Sequence, residues 1–444
     1  MESLWEASCE LPGFSAQERD FNTEVLIIGG GLAGILTAKK LHTAGIPYAL
    51  VEAKTICSGI TKNTTAKITS QHGLIYSRLI SEIGVKGAKN YLEANQAAVN
   101  EYRELCKDID CDFEDKPSYI YSTDSPKGIE SELNALERLG YPAEYARSLP
   151  LPFKTAGAVK FPKQAQFNPM KFVCGLARGL NIFENTRVTE LIGTTAITNR
   201  GRINAKRVIV ATHFPFINKH GLYFLKLYQH RSYVIALDGA QDVGGMYLEE
   251  GMSGLSFRNY RDLLLLGGGD HRTGKGGGGW GVLRSFAEKN YPGSRIRHRW
   301  ATQDCMSLDG IPYIGKYSAA TDRLYVATGF NKWGMTSSMA AAGLLCDLVQ
   351  DRKSPYEELF SPSRSIIKPQ LFVNGFEAAV SLVTPTPKRC PHMGCALKWN
   401  ALEHSWDCPC HGSRFTGDGR LIDNPSTGDM KPAKSKRKNS FKDR

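Results

Sequence analysis

The first clear pattern in the chain is a pair of short apolar runs separated by glycines and a helix-like segment. Residues 25–28 read Val-Leu-Ile-Ile, glycines follow at positions 29, 31 and 34, and a second apolar run at 48–51 ends at Glu52. Apolar runs of this length are typical of buried strands, and a glycine turn followed by a helix can join two of them as a βαβ unit. The pattern therefore predicts an α/β domain that begins near residue 23.

Further along the chain, helical and strand-like patterns alternate. Residues 88–107 are predicted to be a helix, whereas the runs Tyr233-Val-Ile-Ala-Leu and Leu263-Leu-Leu-Leu are predicted to be strands. A predicted strand at 324–330 precedes an alanine-rich helix that begins near Gly334, and residues 371–380 have a helical pattern. Residues 86–165 and 216–300 are therefore expected to form a second, mixed region.

A glycine-rich run interrupts this second region. Residues 267–279 contain eight glycines around Asp270, His271 and Lys275. The run lacks the spacing of a phosphate-binding loop, and no serine or threonine follows Lys275. We expect a flexible loop that leaves a strand, with a role over the substrate as the alternative.

Composition is that of a globular protein with more than one domain. The chain has 444 residues, of which 41% are hydrophobic, so it can bury a large core. No apolar run approaches the roughly 20 residues that a membrane span requires, and the acidic N-terminus does not resemble a signal peptide. Seven of the eleven cysteines lie far apart without framework spacing, so they do not indicate a disulfide scaffold. A cytoplasmic location is expected.

The net charge of +12 is concentrated at the C-terminus. Residues 431–444 contain seven basic residues and one acidic residue, which accounts for half of the excess. This composition predicts a disordered basic tail, and a docking arm for an acidic partner or an anionic surface is the alternative. Specific nucleic-acid binding is not expected.

The βαβ pattern carries the fingerprint of a dinucleotide site. Gly29 permits a tight turn, Gly31 lets a pyrophosphate approach the backbone at the helix N-terminus, and Gly34 allows close packing of helix and strand. Glu52 ends the second strand, where it can accept hydrogen bonds from an adenosine ribose. The fingerprint does not distinguish FAD from NAD.

The segment 305–336 distinguishes FAD from NAD through its resemblance to a known family. It reads Cys305-Met-Ser-Leu-Asp-Gly-Ile-Pro, then a strand ending at Gly329, then Trp-Gly-Met-Thr at the start of a helix. These motifs resemble the closing motifs of the D-amino-acid oxidase and glycine oxidase superfamily, which binds FAD. In that family the helix points its positive end at the flavin. The resemblance extends over about residues 23–352.

The resemblance implies further FAD contacts. The loop after Glu52 is rich in small hydroxyl residues, Phe167-Asn-Pro opens a helix, and Thr186-Arg-Val precedes the strand that returns to the FAD sheet. Beyond the glycine turn and Glu52, the implied cofactor-binding residues are Thr64, Thr65, Val188, Ala211, Gly310, Gly329, Gly334, Met335 and Thr336. An antiparallel sheet over the flavin is also implied.

Near the C-terminus, cysteines and histidines recur on two short segments. The first reads Cys390-Pro-His-Met-Gly-Cys and the second reads Cys408-Pro-Cys-His-Gly-Ser. Two thiolates and two imidazoles from two loops suit an iron-sulfur centre in which histidines replace two cysteines on one iron. A structural zinc site is the alternative, since paired cysteines and histidines also bind zinc.

The two segments resemble the Rieske [2Fe-2S] family. The resemblance implies that Cys390 and Cys408 hold one iron and that His392 and His411 hold the other. It also implies a disulfide bond between Cys395 and Cys410. A full Rieske domain has several strands before its first ligand loop, whereas here only residues 366–389 are available for that part. The module is therefore expected to be truncated. Phe415 occupies a position where quinol-oxidising members of the family have tyrosine, which argues for a lower reduction potential.

Catalytic residues are harder to identify, because the flavin itself carries the chemistry in enzymes of this class. Arg231 and Arg258 are weak candidates for a clamp on a substrate carboxylate. Cys305 is a candidate for covalent attachment of the flavin, although its spacing to Asp309 is shorter than that resemblance would require.

The predicted fold class is an α/β FAD-binding Rossmann-like domain, an α+β antiparallel-sheet substrate domain, and a small, truncated all-β Rieske-type module. The predicted boundaries are an N-terminal extension at 1–22, an FAD-dependent oxidoreductase at 23–352, a linker and helix at 353–385, the cluster module at 386–430 and the tail at 431–444. Within the oxidoreductase, residues 23–85, 166–215 and 301–352 are assigned to FAD binding, and residues 86–165 and 216–300 to the substrate domain.

Three functions follow from the two cofactors. The leading hypothesis is an FAD-dependent dehydrogenase of a small amine, amino acid or similar substrate, which passes electrons through the cluster to a one-electron acceptor protein or a quinone. The second is an oxygen-using oxidase in which the cluster serves structure or sensing. The third is a non-catalytic redox-regulatory protein.

Overall fold

The computed structural model of the chain describes residues 3–251 and 254–431, so the predicted basic tail lies outside the described residues except for Lys431. In the described part the strands are, in chain order, β1 (Phe21–Ile28), β2 (Tyr48–Val51), β3 (Lys67–Ile68), β4 (Glu114–Ser122), β5 (Glu144–Ala146), β6 (Gly157–Gln166), β7 (Ile182–Phe183), β8 (Val188–Ile192), β9 (Thr195–Thr198), β10 (Gly201–Val210), β11 (Leu227–Asp238), β12 (Met246–Glu249), β13 (Ser256–Tyr260), β14 (Leu263–Arg272), β15 (Arg295–Ser307), β16 (Tyr313–Lys316), β17 (Leu324–Thr328), β18 (Lys398–Asn400), β19 (Ser405–Asp407), β20 (Arg414–Thr416) and β21 (Leu421–Asp423).

The helices connect and cover these strands. The α-helices are α1 (Leu32–Thr43), α2 (Tyr76–Leu105), α3 (Lys127–Leu139), α4 (Pro169–Leu176), α5 (Tyr223–Lys226), α6 (Gly279–Asn290), α7 (Gly334–Leu348), α8 (Glu357–Phe360) and α9 (Pro369–Val383). Short 3-10 helices occur at Glu6–Ser8, Ile60–Asn63 and His220–Leu222.

The first sheet confirms the predicted Rossmann-like α/β fold. Its strand order is β16-β17-β10-β1-β2-β7, and β1 pairs in parallel with both β10 and β2. Helix α1 follows β1 directly and packs against α7. The core of this layer consists of aliphatic residues such as Ile27, Ile35 and Leu50, all fully buried. The glycine turn therefore lies at the carboxyl edge of a parallel sheet, where ligands bind in this fold.

The second sheet is mainly antiparallel, as predicted. Its strand order is β15-β11-β14-β13-β12-β4-β6-β3, with β5 beside β6, and β12 and β4 form its parallel pair. The long strands β11, β14 and β15 lie side by side. Strand β3 comes from residues that precede α2, so the chain enters this sheet before the segment that the sequence assigned to it.

The glycine-rich run differs from the prediction of a flexible loop. Strand β14 continues to Arg272, and His230 of β11 pairs with Arg272. The glycines allow the chain to come close to the start of α6, because a Cβ on Gly269 would lie 2.4 Å from the carbonyl oxygen of Gly279. The loop proper is therefore limited to residues 273–278.

The third sheet forms the small C-terminal module. Strands β18 to β21 pair in sequence as an antiparallel meander. Its core contains Leu397 and Phe415 together with four cysteines, at positions 390, 395, 408 and 410. The predicted helix at 371–380 is confirmed as α9, which directly precedes the module. The expected small, truncated all-β module is therefore present.

Candidate functional site

A cavity of about 1200 Å³ connects all three sheets. Its walls come from the glycine turn after β1, the facing ends of β11, β14 and β15, the start of α7, and the segment around Asn424 in the module. One continuous space therefore joins the predicted FAD site to the predicted cluster module.

The glycine turn fits a dinucleotide by its sterics. Gly29 has a φ of +116°, and a Cβ there would lie 2.5 Å from the carbonyl oxygen of Ala211. A Cβ on Gly34 would lie 1.9 Å from the carbonyl oxygen of Gly29, so side chains are excluded at both positions. At Gly31 the nearest atom to a Cβ is the hydroxyl of Thr61 at 3.7 Å. Gly31 therefore keeps the backbone open toward the cavity at the N-terminus of α1.

Glu52 is held in place by the backbone around it. Its Oε2 accepts a hydrogen bond from the amide of Gly30 at 2.7 Å, and its Oε1 accepts one from the amide of Lys54 at 2.9 Å. The carboxylate lines the cavity, and each oxygen keeps a second lone pair. This geometry leaves Glu52 able to accept hydrogen bonds from a ribose.

Most of the predicted FAD-binding residues share this cavity. Its wall includes Gly29, Gly31, Glu52, Thr64, Thr65, Val188, Ala211, Gly310, Gly329, Gly334 and Met335. Gly34 and Thr336 lie behind that wall. The hydroxyl of Thr336 donates to the carbonyl oxygen of Thr69 at 3.1 Å and lies 3.0 Å from Nε2 of His72, so it joins α7 to the loop before α2.

Helix α7 presents its N-terminus to the cavity. Trp333 is its N-cap residue, no side chain caps the helix, and Gly334 and Met335 line the cavity. The N-terminus of a helix carries a partial positive charge, which stabilises negative charge nearby. This end of the cavity therefore suits a flavin that becomes anionic on reduction.

A polar cluster on the second sheet was not predicted from the sequence. The Nζ of Lys332 forms an ion pair with Oδ2 of Asp270, and Asp304 and Thr302 line the same wall. Burial raises the pKa of Asp304 to about 6, and the nearby Lys332 opposes that shift. The hydroxyl of Thr302 is buried without a hydrogen-bond partner among the described residues. These groups come from β14, β15 and the turn before α7, so no continuous sequence motif contains them.

The two arginine candidates already have partners. Arg231 forms a buried ion pair with Glu403 of the module, in which Nε donates to Oε1 at 3.0 Å and Nη2 contacts Oε2. Arg258 donates through Nη1 to the carbonyl oxygens of Thr65 and Ala66, at 2.9 and 2.8 Å. Both guanidinium groups are therefore already engaged in contacts within the protein. A role for either arginine in binding a substrate carboxylate stays a prediction.

Cys305 lies in the cavity wall near the flavin segment. Its Sγ is 3.7 Å from the hydroxyl of Thr328, and burial raises the pKa of the thiol to about 12. A thiol with a raised pKa is a poor nucleophile, because the thiolate is the reactive form. Covalent attachment of flavin at Cys305 stays a prediction.

The four predicted cluster ligands form two close pairs in the module, one of cysteines and one of histidines. Cys390 and Cys408 are buried, and the rings of His392 and His411 lie 4.9 Å apart at an angle of 86°. Both Nδ1 atoms are buried and have no hydrogen-bond partner among the described residues. Nε2 of His392 donates to Oδ1 of Asn218 at 2.8 Å, which leaves its Nδ1 unprotonated. Two orphaned imidazole nitrogens beside two buried thiols fit a Rieske cluster.

The remaining two cysteines lie beside these ligands. The sulfur atoms of Cys395, Cys408 and Cys410 are within 4.8 Å of one another. The hydrogen bond with Cys408 and then burial raise the pKa of Cys390, whereas the Ser413 hydroxyl lowers it. Ser413 therefore contacts a predicted ligand, as expected for a residue that tunes a cluster.

The cluster loops are attached to the second sheet by two glutamines. Nε2 of Gln229 donates to the carbonyl oxygen of His411 at 2.8 Å. Nε2 of Gln303 donates to the carbonyl oxygen of Gly412 and to Oε1 of Gln229, both at 2.9 Å. Gln303 lines the cavity, so a hydrogen-bonded path runs from the cavity wall to the backbone of the predicted ligand His411. No sequence pattern predicted this pair, because the contacts join residues that are far apart in the chain.

Other contacts fix the module in the same position. Arg272 donates through Nε to the carbonyl oxygen of Pro409 at 3.0 Å and through Nη2 to that of Cys410 at 3.1 Å. Nδ2 of Asn424 donates to the carbonyl oxygens of Thr212 and Phe214, both at 2.8 Å. The truncated module therefore packs its ligand loops against the flavin-type domains.

Comparison with known proteins agrees with both halves of the site. A family described as FAD dependent oxidoreductase matches residues 24–348, and the Rieske [2Fe-2S] domain family matches residues 383–434. The Bacillus subtilis (strain 168) protein YhfW, named as a putative Rieske 2Fe-2S iron-sulfur protein, is 34% identical in an alignment that covers 98% of this chain and 97% of that protein.

Solved structures show the same fold for the larger part of the chain. Glycine oxidase from Geobacillus kaustophilus superposes with a TM-score of 0.64 at 19% identity, over 78% of this chain and 99% of that one. L-proline dehydrogenase from P. horikoshii superposes with a TM-score of 0.65 at 16% identity, over 79% and 98%. Among the described residues, no helix is long and apolar enough to cross a membrane.

Proposed function

The chain belongs to the FAD dependent oxidoreductase family and carries a Rieske [2Fe-2S] domain, and from this premise we propose that it dehydrogenates a small amine or amino acid and passes the electrons to the cluster. FAD accepts two electrons at once when bound, whereas a [2Fe-2S] cluster accepts one. The pairing would convert one two-electron oxidation into two single-electron steps toward a one-electron acceptor.

The observation that carries this proposal is the continuity between the two sites. The cavity that begins at the glycine turn extends to the module, and Gln303 and Gln229 bridge its wall to His411. A cluster with a purely structural role would not need hydrogen bonds from its loop to the wall of a redox cavity. The buried interface around the ligand loops instead suits an internal electron outlet.

The proposed ligand set follows the residues in place. The turn at Gly29, Gly31 and Gly34, with Glu52, would hold the pyrophosphate and ribose of FAD, and the N-terminus of α7 would face the flavin. The cluster would be held by Cys390, Cys408, His392 and His411. We propose a disulfide bond between Cys395 and Cys410, whose sulfur atoms lie close enough for modest movement to join them.

The substrate class is proposed from the relatives and from the polar cluster. The structural neighbours include a glycine oxidase and an L-proline dehydrogenase, whose names point to amino-acid substrates. In this chain, Asp304 offers an acidic group to a substrate amine, and the ion pair of Asp270 with Lys332 lies in the same cavity wall. Thr302 adds a buried hydroxyl without a partner among the described residues.

The test is an anaerobic titration of the purified protein with a panel of amines, amino acids and hydroxy acids. A substrate of the proposed class should bleach the flavin absorbance without oxygen, whereas hydroxy acids should not, because they lack the amine that the acidic group would bind. Bleaching by hydroxy acids alone would contradict the substrate class. No bleaching by any member of the panel, in protein loaded with FAD, would contradict a dehydrogenase of small amines.

A further inference from the structure

Helix α9 buries polar residues against the protein and exposes apolar residues on its outer side. Asn374 and Ser381 are buried on the side that faces the protein, whereas the outer side exposes large apolar residues. These outer residues, here called the α9 face, are Phe372, Val373, Phe376, Val380 and Val383. The exposed fractions of Phe372, Phe376 and Val383 are 69%, 69% and 80%. A surface helix normally turns its apolar side inward, so this face requires a partner.

The helix is firmly attached through its polar side. Oδ1 of Asn374 accepts a hydrogen bond from Nη1 of Arg272 at 2.9 Å, and Glu377 forms an ion pair with Lys275 at 2.6 Å. At its C-terminal end, the amide of Ala396 donates to the carbonyl oxygen of Ser381 at 3.1 Å. These contacts hold the helix in the orientation that exposes the α9 face.

The α9 face adjoins the first cluster loop. Nη1 of Arg389 donates to the carbonyl oxygens of Leu382 and Gly394, at 3.1 and 2.8 Å, and so joins the end of the helix to that loop. Met393, between ligand His392 and Gly394, is itself 36% exposed. Whatever covers the α9 face therefore also lies beside the cluster.

The charge around the face favours an anionic partner. Residues 361–396 contain four basic residues, of which Arg364 is paired with Asp309, and Glu377, paired with Lys275, is the acidic residue of this segment. Seven more basic residues follow in the sequence at 431–444, after Met430, which packs in the same apolar cluster as Ala378 of α9. Two copies of this surface would bring like charges together, whereas an anionic lipid bilayer would be complementary.

We propose that the α9 face is a docking surface for an anionic lipid bilayer. A helix of 15 residues is too short to span the hydrocarbon core, which needs roughly 20 residues, but it suits a position along the interface. Its apolar residues enter the lipid, and the neighbouring basic residues pair with acidic headgroups. Stable binding of this kind takes two signals, and the apolar face and the basic segments supply them.

This docking assigns the electron acceptor to the bilayer, an assignment that rests on the proposed function. The loop that carries Cys390 and His392 would lie at the lipid surface, where the acceptor is a lipid-soluble quinone. Each quinone takes two electrons, delivered one at a time by the cluster, and two protons from water, and becomes the quinol. The electrons come from the two-electron oxidation of the substrate, so the balance closes.

The test is co-sedimentation of the full-length holoprotein with vesicles of phosphatidylglycerol and phosphatidylcholine. The wild type should sediment with these vesicles, and binding should weaken with salt and with pure phosphatidylcholine. The double substitution Phe372→Ser and Phe376→Ser should weaken binding by about tenfold or more, because the apolar contact is lost. The matched control is Ile192→Ser, which replaces an aliphatic residue that is 60% exposed in β8 and should bind as the wild type does.

Two results would overturn the docking proposal. One is a wild type that stays in the supernatant with anionic vesicles at low salt, or a double variant that sediments equally well. The other is a dimer in lipid-free ultracentrifugation that the double substitution dissociates while vesicles remain unbound, which would assign the α9 face to a second copy of this chain.

A second arm addresses the acceptor. With quinone embedded in the vesicles, substrate should produce quinol in the wild type and less in the double variant, while turnover with a water-soluble acceptor stays equal. Vesicle binding without quinol formation would overturn the quinone assignment. Flavin and cluster reduction measured without lipid report on the proposed function separately, so the two failures are distinguishable.

Discussion

At the residue scale, the ring nitrogens of two histidines in the cluster module indicate how the module could bind a metal. Among the described residues, the Nδ1 atoms of His392 and His411 are buried and have no hydrogen-bond partner, as is also true of Nε2 of His213 and Nδ1 of His230. The rings of His392 and His411 also lie 4.9 Å apart in the module that holds the buried Cys390 and Cys408. A buried polar atom without a hydrogen bond is costly, so such atoms are retained where a ligand satisfies them. The Asn218 contact at Nε2 then selects the tautomer that can bind a metal through Nδ1.

Phe415 gives the sharpest residue-scale prediction. Its ring is fully buried in the same core as Cys390 and Cys408. Replacing it by tyrosine would add a hydroxyl that can donate to a ligand sulfur, and this bond is stronger when the cluster is reduced. A net hydrogen bond of roughly 0.5 to 1.5 kcal/mol corresponds to about 20 to 65 mV for a one-electron couple. Phe415→Tyr should therefore raise the midpoint potential by tens of millivolts, measured by protein-film voltammetry.

The comparison variant for that measurement is Ser413→Ala. The Ser413 hydroxyl already stabilises the thiolate form of Cys390, so its removal should lower the potential. If the tyrosine variant keeps or lowers the wild-type potential, the hydroxyl at position 415 does not reach a ligand sulfur.

At the element scale, the two ligand loops are separate from the sheet that forms the FAD site. They precede β18 and β20 of the module, whereas the glycine turn follows β1 in the first sheet. His411→Ala should therefore remove the Rieske electron resonance signal and the iron and acid-labile sulfide of the cluster, while FAD stays bound. The matched control is His404→Ala, because His404 lies on the turn between β18 and β19 and is not a predicted ligand. Stoichiometric zinc in wild-type protein prepared with ample iron and without air would contradict the cluster.

The elements that the sequence predicted well are those with strong local patterns. The βαβ unit, helix α7 and the two cysteine and histidine loops each carry their signal within a few residues. The course of residues 267–272 could not be predicted, because glycine has low strand propensity and only pairing with β11 makes it a strand. The roles of Gln229, Gln303 and Glu403 could not be predicted either, because they depend on contacts between segments that are far apart in the chain.

At the scale of the whole molecule, the module is docked on the oxidoreductase by buried polar contacts. The ion pair between Arg231 and Glu403 is reinforced by Arg414, whose Nη2 donates to Oε2 of Glu403 at 2.8 Å. Contacts of this kind require specific geometry, so they favour one orientation of the module over others. That orientation places the His411 loop beside the cavity wall and the α9 face outward.

The most direct test of internal electron transfer is an anaerobic rapid-freeze experiment on the wild type and on Cys408→Ala. In the wild type, mixing with substrate should bleach the flavin and then produce the electron resonance signal of the reduced cluster. The Cys408→Ala variant should still bleach its flavin, but should show no cluster signal and should lose turnover with one-electron acceptors. A wild-type cluster that stays oxidised while substrate is consumed, or unchanged turnover in Cys408→Ala, would contradict the account.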